Sequence, residues 1–329
     1  MGRSGHRPGA GAVVAALVVV AAVVAATLAA APAGAAPTRP AAPTRPAAPA
    51  TPAAPTAARA HADTTAYEGL GAWLDVFDTD LRRNASATVA LLVRHGVSTV
   101  FLETSSWSRP YDLQTPDLTG AFLDTAHAAG LRVVAWYLPG FQNAALDARR
   151  SLVAIRFRSA AGGAFDSFAL DIEDTTVRNV ALRTVRLLAL VARVRAAAPG
   201  PYALGAIVAS PLGMLLKPDY WPGFPWQRLA AAMDVFVPMA YSSYRSIGAD
   251  GAFAYTVANV ALVRALAGNP AVPVHVVGGI ASALTTADVT GFVRGALQQE
   301  VVGASLYDAA TTKAALWPGL APIARLGRS

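Results

Sequence analysis

The chain has 329 residues, of which 54% are hydrophobic and 14% charged, and it contains no cysteine. So apolar a composition excludes a disordered chain and supplies a sizeable core, while the absence of cysteine excludes disulfide staples, thiolate nucleophiles and Cys-ligated zinc. The net charge of +7 sits largely in the N-terminal tail: Arg3, Arg7, Arg39, Arg45 and Arg59 precede residue 64, with Asp63 as the one acid there. Of the 27 basic and 20 acidic residues this leaves 22 and 19, or +3, for the rest. Two lysines, Lys217 and Lys313, and no basic run or basic-aromatic stripe give no footprint for nucleic acid.

Residues 1–36 read as a signal peptide. Arg3 and Arg7 precede an uncharged Ala/Val/Leu stretch from about Ala10 to Ala31, followed by the small residues Ala33-Gly34-Ala35. Cleavage is expected near Ala35, giving a secreted protein. The alternative is an uncleaved anchor, because about 20 apolar residues span a bilayer. Residues 37–64 are a Pro/Ala/Thr-rich linker in which Pro37-Thr38-Arg39-Pro40-Ala41-Ala42 recurs at Pro43–Ala48. Such a segment favours extended polyproline conformations and acts as a spacer.

The remaining residues, 65–329, number roughly 265, close to the ~250 typical of a (β/α)8 TIM barrel. Short β-branched or aromatic runs alternate there with Ala/Leu/Arg-rich stretches, which predicts parallel strands joined by crossover helices. Eight strands are expected, at Gly71–Phe77, Ser98–Glu103, Arg132–Leu138, Asp166–Ile172, Ala203–Val208, Asp234–Tyr241, Val272–Val277 and Ala304–Tyr307. The clearest helical stretches between them are Leu81–His95, Leu118–Ala129, Val177–Ala198, Phe253–Ala267 and Asp288–Gln298. An open doubly wound sheet is the alternative, but the G-x-G-x-x-G fingerprint and the Walker sequence are both absent.

A barrel of this kind works at the C-terminal ends of its strands. Those ends carry Asp75 and Asp78, Glu103, Tyr137, Asp171 and Glu173, Tyr241, and Asp308. The fourth is the most informative. Alternation along Phe165–Asp174 puts Phe168, Leu170 and Ile172 on one face and Ser167, Ala169, Asp171 and Glu173 on the other. The small residues then face the barrel interior and the two acids rise into its mouth, with Cα atoms about 6.5–7 Å apart. Mutual repulsion and partial burial raise both pKa values, so one carboxyl keeps its proton beside a charged neighbour. Cleavage of a glycosidic bond requires that arrangement, because the departing oxygen must receive a proton.

Asp166-x-x-Ala169-x-Asp171-x-Glu173 resembles the D-x-x-D-x-D-x-E fourth-strand signature of family-18 chitinases, and Met239-Ala240-Tyr241 resembles the M-x-Y segment lining their substrate site. The resemblance implies that Glu173 is the general acid and that Asp171 orients the 2-acetamido group of the substrate. Two positions depart from the pattern: the middle aspartate is Ala169, and the aspartate usual after M-x-Y is Ser242. Both belong to the network that handles the acetamido group, so the glycan is left unspecified. Patterns of other barrel glycosidases do not fit, since neither Val274–Gly279 on the seventh strand nor Ala206–Ser210 on the fifth holds an acid.

The catalytic pair is therefore Glu173 and Asp171, with Asp75, Glu103, Tyr137, Met239, Tyr241, Trp226 and Asp308 expected to bind substrate. Of Trp221 and Trp226, one is expected to pack its loop and one to reach the cleft; Trp73 and Trp136 lie within strands and read as core. Asp174 reads as a helix cap. His95 and His127 fall near the N-terminal ends of strands and His275 inside one, with no spacing that supports a metal, and no cofactor is implied. The expected partner is a polysaccharide or cell-wall glycan, with no protein partner implied and a monomer expected. A barrel that binds glycan without cleaving it, or an extracellular scaffold tethered by the spacer, is the alternative. Mass spectrometry of the secreted protein is expected to place its N-terminus at or next to Ala36; an intact residue 1 would show that the leader is retained.

Overall fold

The computed structural model describes residues 62–244 and 248–326. The expected signal peptide and nearly all of the expected linker lie outside the described residues. Eight strands follow in order: β1 (Gly69–Leu74), β2 (Val97–Ser106), β3 (Arg132–Leu138), β4 (Ser167–Ile172), β5 (Leu204–Ala209), β6 (Val235–Met239), β7 (His275–Ile280) and β8 (Gly303–Tyr307). Each pairs in parallel with its sequence neighbour, and β1 closes on β8 through Gly69↔Gly303 to Ala72↔Leu306. All eight expected strands are present. Both faces of such a sheet are covered, which is why the strands read as nearly continuous apolar runs.

The long crossover helices are Ala85–Arg94, Pro116–Ala128, Ala144–Arg156, Val180–Ala197, Gly248–Ala267 and Thr286–Gln298. Side-chain caps fix several starts. Asn143 accepts from the Leu146 amide, Asn179 from the Leu182 amide, and Thr285 with Asp288 forms a reciprocal capping box; each such cap contributes about 1 kcal/mol. The stretch expected as one helix over 81–95 is two, Thr79–Arg83 and Ala85–Arg94, because Asn84 turns out of helical geometry and its amide bonds back to the Asp80 carbonyl. Asp174 is not a cap: its carboxylate closes a local turn on Thr176, and Asn179 starts the helix that follows.

Two apolar layers result. Tyr67, Trp73, Phe101, Val134, Trp136, Ala169, Ile207 and Val237 belong to the cluster that fills the barrel, and a larger cluster lies between the strands and the helices. A single turn, Thr65–Tyr67, stoppers the N-terminal end. The Tyr67 hydroxyl donates to the Phe168 carbonyl (3.3 Å) and accepts from Ser167 (2.7 Å), and its own carbonyl accepts from His275 Nδ1 (2.7 Å). Just upstream, Asp63 bridges to Tyr202 at the same end, its amide donating to the Pro201 carbonyl. Asp166 also works there, accepting from the Val133 amide and pairing with His127 (2.9 Å) and Arg132 (3.3 Å). The first acid of the fourth-strand pattern thus ties β4 to β3, far from the mouth.

Gly205 is small because a Cβ there would stand 2.5 Å from the Tyr67 hydroxyl. Gly205→Ala is expected to destabilise the fold by about 1–3 kcal/mol through overpacking, read as a lowered midpoint in urea denaturation. An unchanged midpoint would mean that the stopper yields freely.

Candidate active site

The barrel opens at the C-terminal ends of its strands into a cavity of about 410 Å³, within the range of small-ligand sites. Trp73 and Asp75 reach it from β1 and the residue after it, Glu103 from β2, Trp136 and Leu138 from β3, Asp171 and Glu173 from β4 and its end. Ile207, Met239, Tyr241, Ile280 and Tyr307 complete the ring from β5 to β8 and the residues that follow. A second cavity, about 310 Å³, lies at the stoppered end against Asp63, Arg132, Asp166 and Tyr202. Its Asp166 is already committed to the partners named above.

The floor is a stack of rings. Trp73 lies parallel to Phe101 at 4.3 Å between centroids, meets Trp136 edge-on at 5.7 Å and Tyr307 at 6.0 Å. A buried relay fixes it. Trp73 Nε1 donates to Ser305 Oγ (2.8 Å), Ser305 lies 3.0 Å from His275 Nε2, and His275 Nδ1 faces the Tyr67 carbonyl. A carbonyl only accepts, so Nδ1 carries the proton and Nε2 accepts from the serine. Burial pulls the His275 pKa down to about 4, which keeps the ring neutral.

Above the floor stand the acids. Asp75 accepts from the Phe77 amide (2.7 Å) and the Tyr307 hydroxyl (2.9 Å). Glu103 is buried and accepts from the Val76 amide (3.0 Å). Desolvation pushes its pKa up to about 7; the Val76 amide opposes this, the Asp75 charge adds to it, and Arg82 and Arg109 oppose it. Arg82 is buried behind the wall and donates to the carbonyls of Asp75 (2.9 Å) and Glu103 (2.6 Å), so it braces two strand ends at once.

Asp171 is buried, 6% exposed, and its Oδ1 has no partner among the described residues. Its pKa lies well above the ordinary carboxylate value, first through desolvation and then through Glu173 and Glu103. Glu173 sits at the rim with an exposed flank, but protein atoms crowd its other sides; desolvation and then the Asp174 charge raise its pKa also. Tyr220 donates to the Glu173 carbonyl (2.6 Å) and holds the strand end in place. The phenol of Tyr241 stays protonated, pushed up by burial and by both acids.

Six of the nine expected site residues therefore meet in one cavity: Asp171, Glu173, Asp75, Glu103, Met239 and Tyr241. Three do not. Tyr137 points outward, fully buried, its hydroxyl donating to Asp147 (2.7 Å) on the helix Ala144–Arg156, and the inward residue of β3 is Trp136. Trp226 packs against Phe224 (4.7 Å) and Phe236 (5.9 Å) in the outer layer, and Trp221 is buried beneath Arg183, so neither tryptophan reaches the cleft. Asp308 closes a turn by accepting from the Thr311 amide and does not line the cavity. The residues not foreseen are Trp73, Trp136, Phe77, Arg109 and Tyr307. Trp73 had a signal, because it shares the two-residue phase of Asp75. Among the described residues no cluster of His, Asp or Glu is arranged to hold a metal.

No family model matches the chain, and neither does any curated protein. Solved structures do. The endo-β-1,4-mannanase of Thermotoga petrophila superposes with a TM-score of 0.60 at 9% identity, over 79% of this chain and 76% of that one. The spore cortex-lytic enzyme SleL of Bacillus cereus gives 0.57 at 9% identity, over 77% and 73%. The family GH18 chitinase of Cycas revoluta, solved with allosamidin, gives 0.57 at 12% identity, over 78% and 99%. At these identities the likeness is one of fold, and the fold it supports is the (β/α)8 barrel.

Proposed function

We propose that the protein is a secreted glycoside hydrolase that cleaves a polysaccharide or cell-wall glycan, with Glu173 as general acid and Asp171 beside it. The observation that carries this reading is a pair of carboxyls with raised pKa values opening together into an aromatic-floored cavity. The barrel neighbours, by name a mannanase, a spore cortex-lytic enzyme and a chitinase, support it.

The chemistry follows from the two environments. The buried Asp171 carboxyl holds a proton before a sugar binds because burial penalises its charge and the neighbouring acids, not a cation among the described residues, surround it. When a sugar N–H or O–H donor reaches the unbonded Oδ1, the ionised form is stabilised, and the new negative charge raises the pKa of Glu173. Glu173, with its exposed flank, is then the protonated group nearest the entering glycosidic oxygen and transfers its proton to that oxygen as the C–O bond breaks; the anomeric carbon takes its new oxygen from water, and the proton that water releases restores Glu173. Tyr241 supplies a second polar contact beside the pair. Ser242 is turned away, donating to the Gly278 carbonyl (3.0 Å), and Ala169 is buried under the floor. If a 2-acetamido group takes part, Asp171 and Tyr241 are the groups left to hold it.

Incubation with chitin, mannan and peptidoglycan, followed by measurement of new reducing ends, tests the reading. Glu173→Gln is expected to lower turnover by roughly 10²- to 10⁴-fold. Retention on a glycan with no new ends from the unmodified protein would instead assign a binding barrel. Activity is expected to fall as pH rises through the raised Glu173 pKa, since the acid must enter protonated. Glu103→Gln removes a negative charge that raises the Asp171 pKa and is expected to move the acidic limb, on which Asp171 must ionise, to lower pH; an unmoved limb would show that Glu103 is electrostatically remote. Glu103 also links pH to stability. Its folded pKa of about 7 exceeds its ordinary 4.5, so its contribution is complete below about 4.5 and is lost as pH rises through 7. Urea midpoints are expected to fall between pH 5 and 8, less steeply in Glu103→Gln.

A further inference from the structure

Seven large hydrophobic side chains are exposed among the described residues, and they divide cleanly. The aliphatic ones, Val93, Leu182, Val185, Leu215 and Leu297, are scattered over the outer helices and none borders the cavity. The two aromatic ones, Phe77 (70% exposed) and Tyr244 (74% exposed), both line it. Leaving such a ring in water forgoes the stabilisation that its burial would contribute. Two rings left out at one opening point to a ligand that covers them.

Their placement says how that ligand lies. Phe77 follows β1 and Tyr244 follows β6, and in the closed order β6-β7-β8-β1 these ends are three steps apart, nearly the maximum of four in an eight-stranded ring. The rings therefore stand on different sides of the mouth. Each is tied to the catalytic wall. The Phe77 amide bonds to Asp75, and Arg109 lies over its ring at 4.3 Å from the centroid, which holds the ring in one orientation. The Tyr244 ring stands 5.9 Å from that of Tyr241, and the Tyr244 amide donates to the Tyr241 carbonyl. Glu173 keeps its exposed flank at this same rim, outside the depth occupied by Asp171.

We infer that Phe77 and Tyr244 are platforms for sugar rings outside the cavity, so that the protein takes an internal stretch of a glycan chain laid across its mouth. The inference rests on the glycan reading of the site and adds the mode of binding: mid-chain, with the C–H faces of flanking sugars packed on the two rings. A chain end confined to the cavity would need neither.

The test uses dimers and hexamers of β-1,4-linked N-acetylglucosamine, mannose and glucose, with affinities measured by calorimetry in the Glu173→Gln background so that nothing is consumed. At least one hexamer is expected to bind tenfold or more tighter than its dimer. Phe77→Ala and Tyr244→Ala are each expected to reduce that hexamer-to-dimer ratio by roughly three- to tenfold. Phe77→Tyr, which keeps a flat ring, is expected to preserve the ratio, and Phe77→Leu, apolar but without a face, to lose it. Unchanged melting temperatures in all of these variants are expected from the exposure of both side chains. The inference is overturned if no hexamer outbinds its dimer, or if the ratio survives both alanine substitutions. Cleavage is read separately. Ring-dependent hexamer binding without new reducing ends from the unmodified protein sinks the hydrolase reading and leaves this one standing, whereas cleavage with an unaltered ratio does the reverse.

Discussion

At the end of β4 a carboxyl is buried with one oxygen unbonded and, among the described residues, no guanidinium or ammonium placed to offset it, and the rest of the cleft is arranged around that group. A buried charge of this kind is costly, and the group meets the cost by keeping a proton rather than by finding a counter-ion. The two nearby arginines are spent elsewhere. Arg82 braces the carbonyls of β1 and β2, and Arg109 lies over Phe77, so the positive charge falls on the Glu103 side of the cavity. Had either guanidinium paired with Asp171, the carboxyl would be held ionised instead of protonated.

The aromatic floor serves the same end by a different route. Trp73, Phe101, Trp136 and Tyr307 pack where water would otherwise solvate the acids, and the serine–histidine relay beneath them stops Trp73 from rotating. Small residues make room. Ala169 is opposite Trp136 in the β3–β4 register, and Gly205 is opposite Ala169 on β5, so the large rings of neighbouring elements fill the space that these two leave. The stopper at Tyr67 then seals the other end, and the barrel interior becomes a cup rather than a passage.

How much of this the amino-acid sequence discloses depends on whether polarity marks a strand's two faces. On β4 it does. The bulky residues Phe168, Leu170 and Ile172 alternate with small or acidic ones, so the direction of Asp171 follows from period two alone. On β3 it does not, because Val133, Ala135 and Tyr137 are no more apolar than Val134, Trp136 and Leu138; all but the half-buried Leu138 are buried, and the tyrosine hydroxyl finds its partner on a helix. The tryptophans of the loop after β5 show a second limit. Trp221 and Trp226 look like sugar platforms in composition, yet they cover the outer layer, while the rings that face solvent at the mouth, Phe77 and Tyr244, follow β1 and β6. Exposure is a property of the assembled barrel and leaves no local trace.

The bridge between Asp63 and Tyr202 gives the molecule a direction. It places residue 62, where the described chain begins, at the base of the cup, on the side opposite the opening. A leash fastened there, whether to a lipid surface or to any other support, would leave the working end pointing outward and unobstructed. The same geometry makes the amino-terminal side the natural place for a fusion partner or an immobilisation tag, since the point of attachment lies at the end of the barrel away from the cavity.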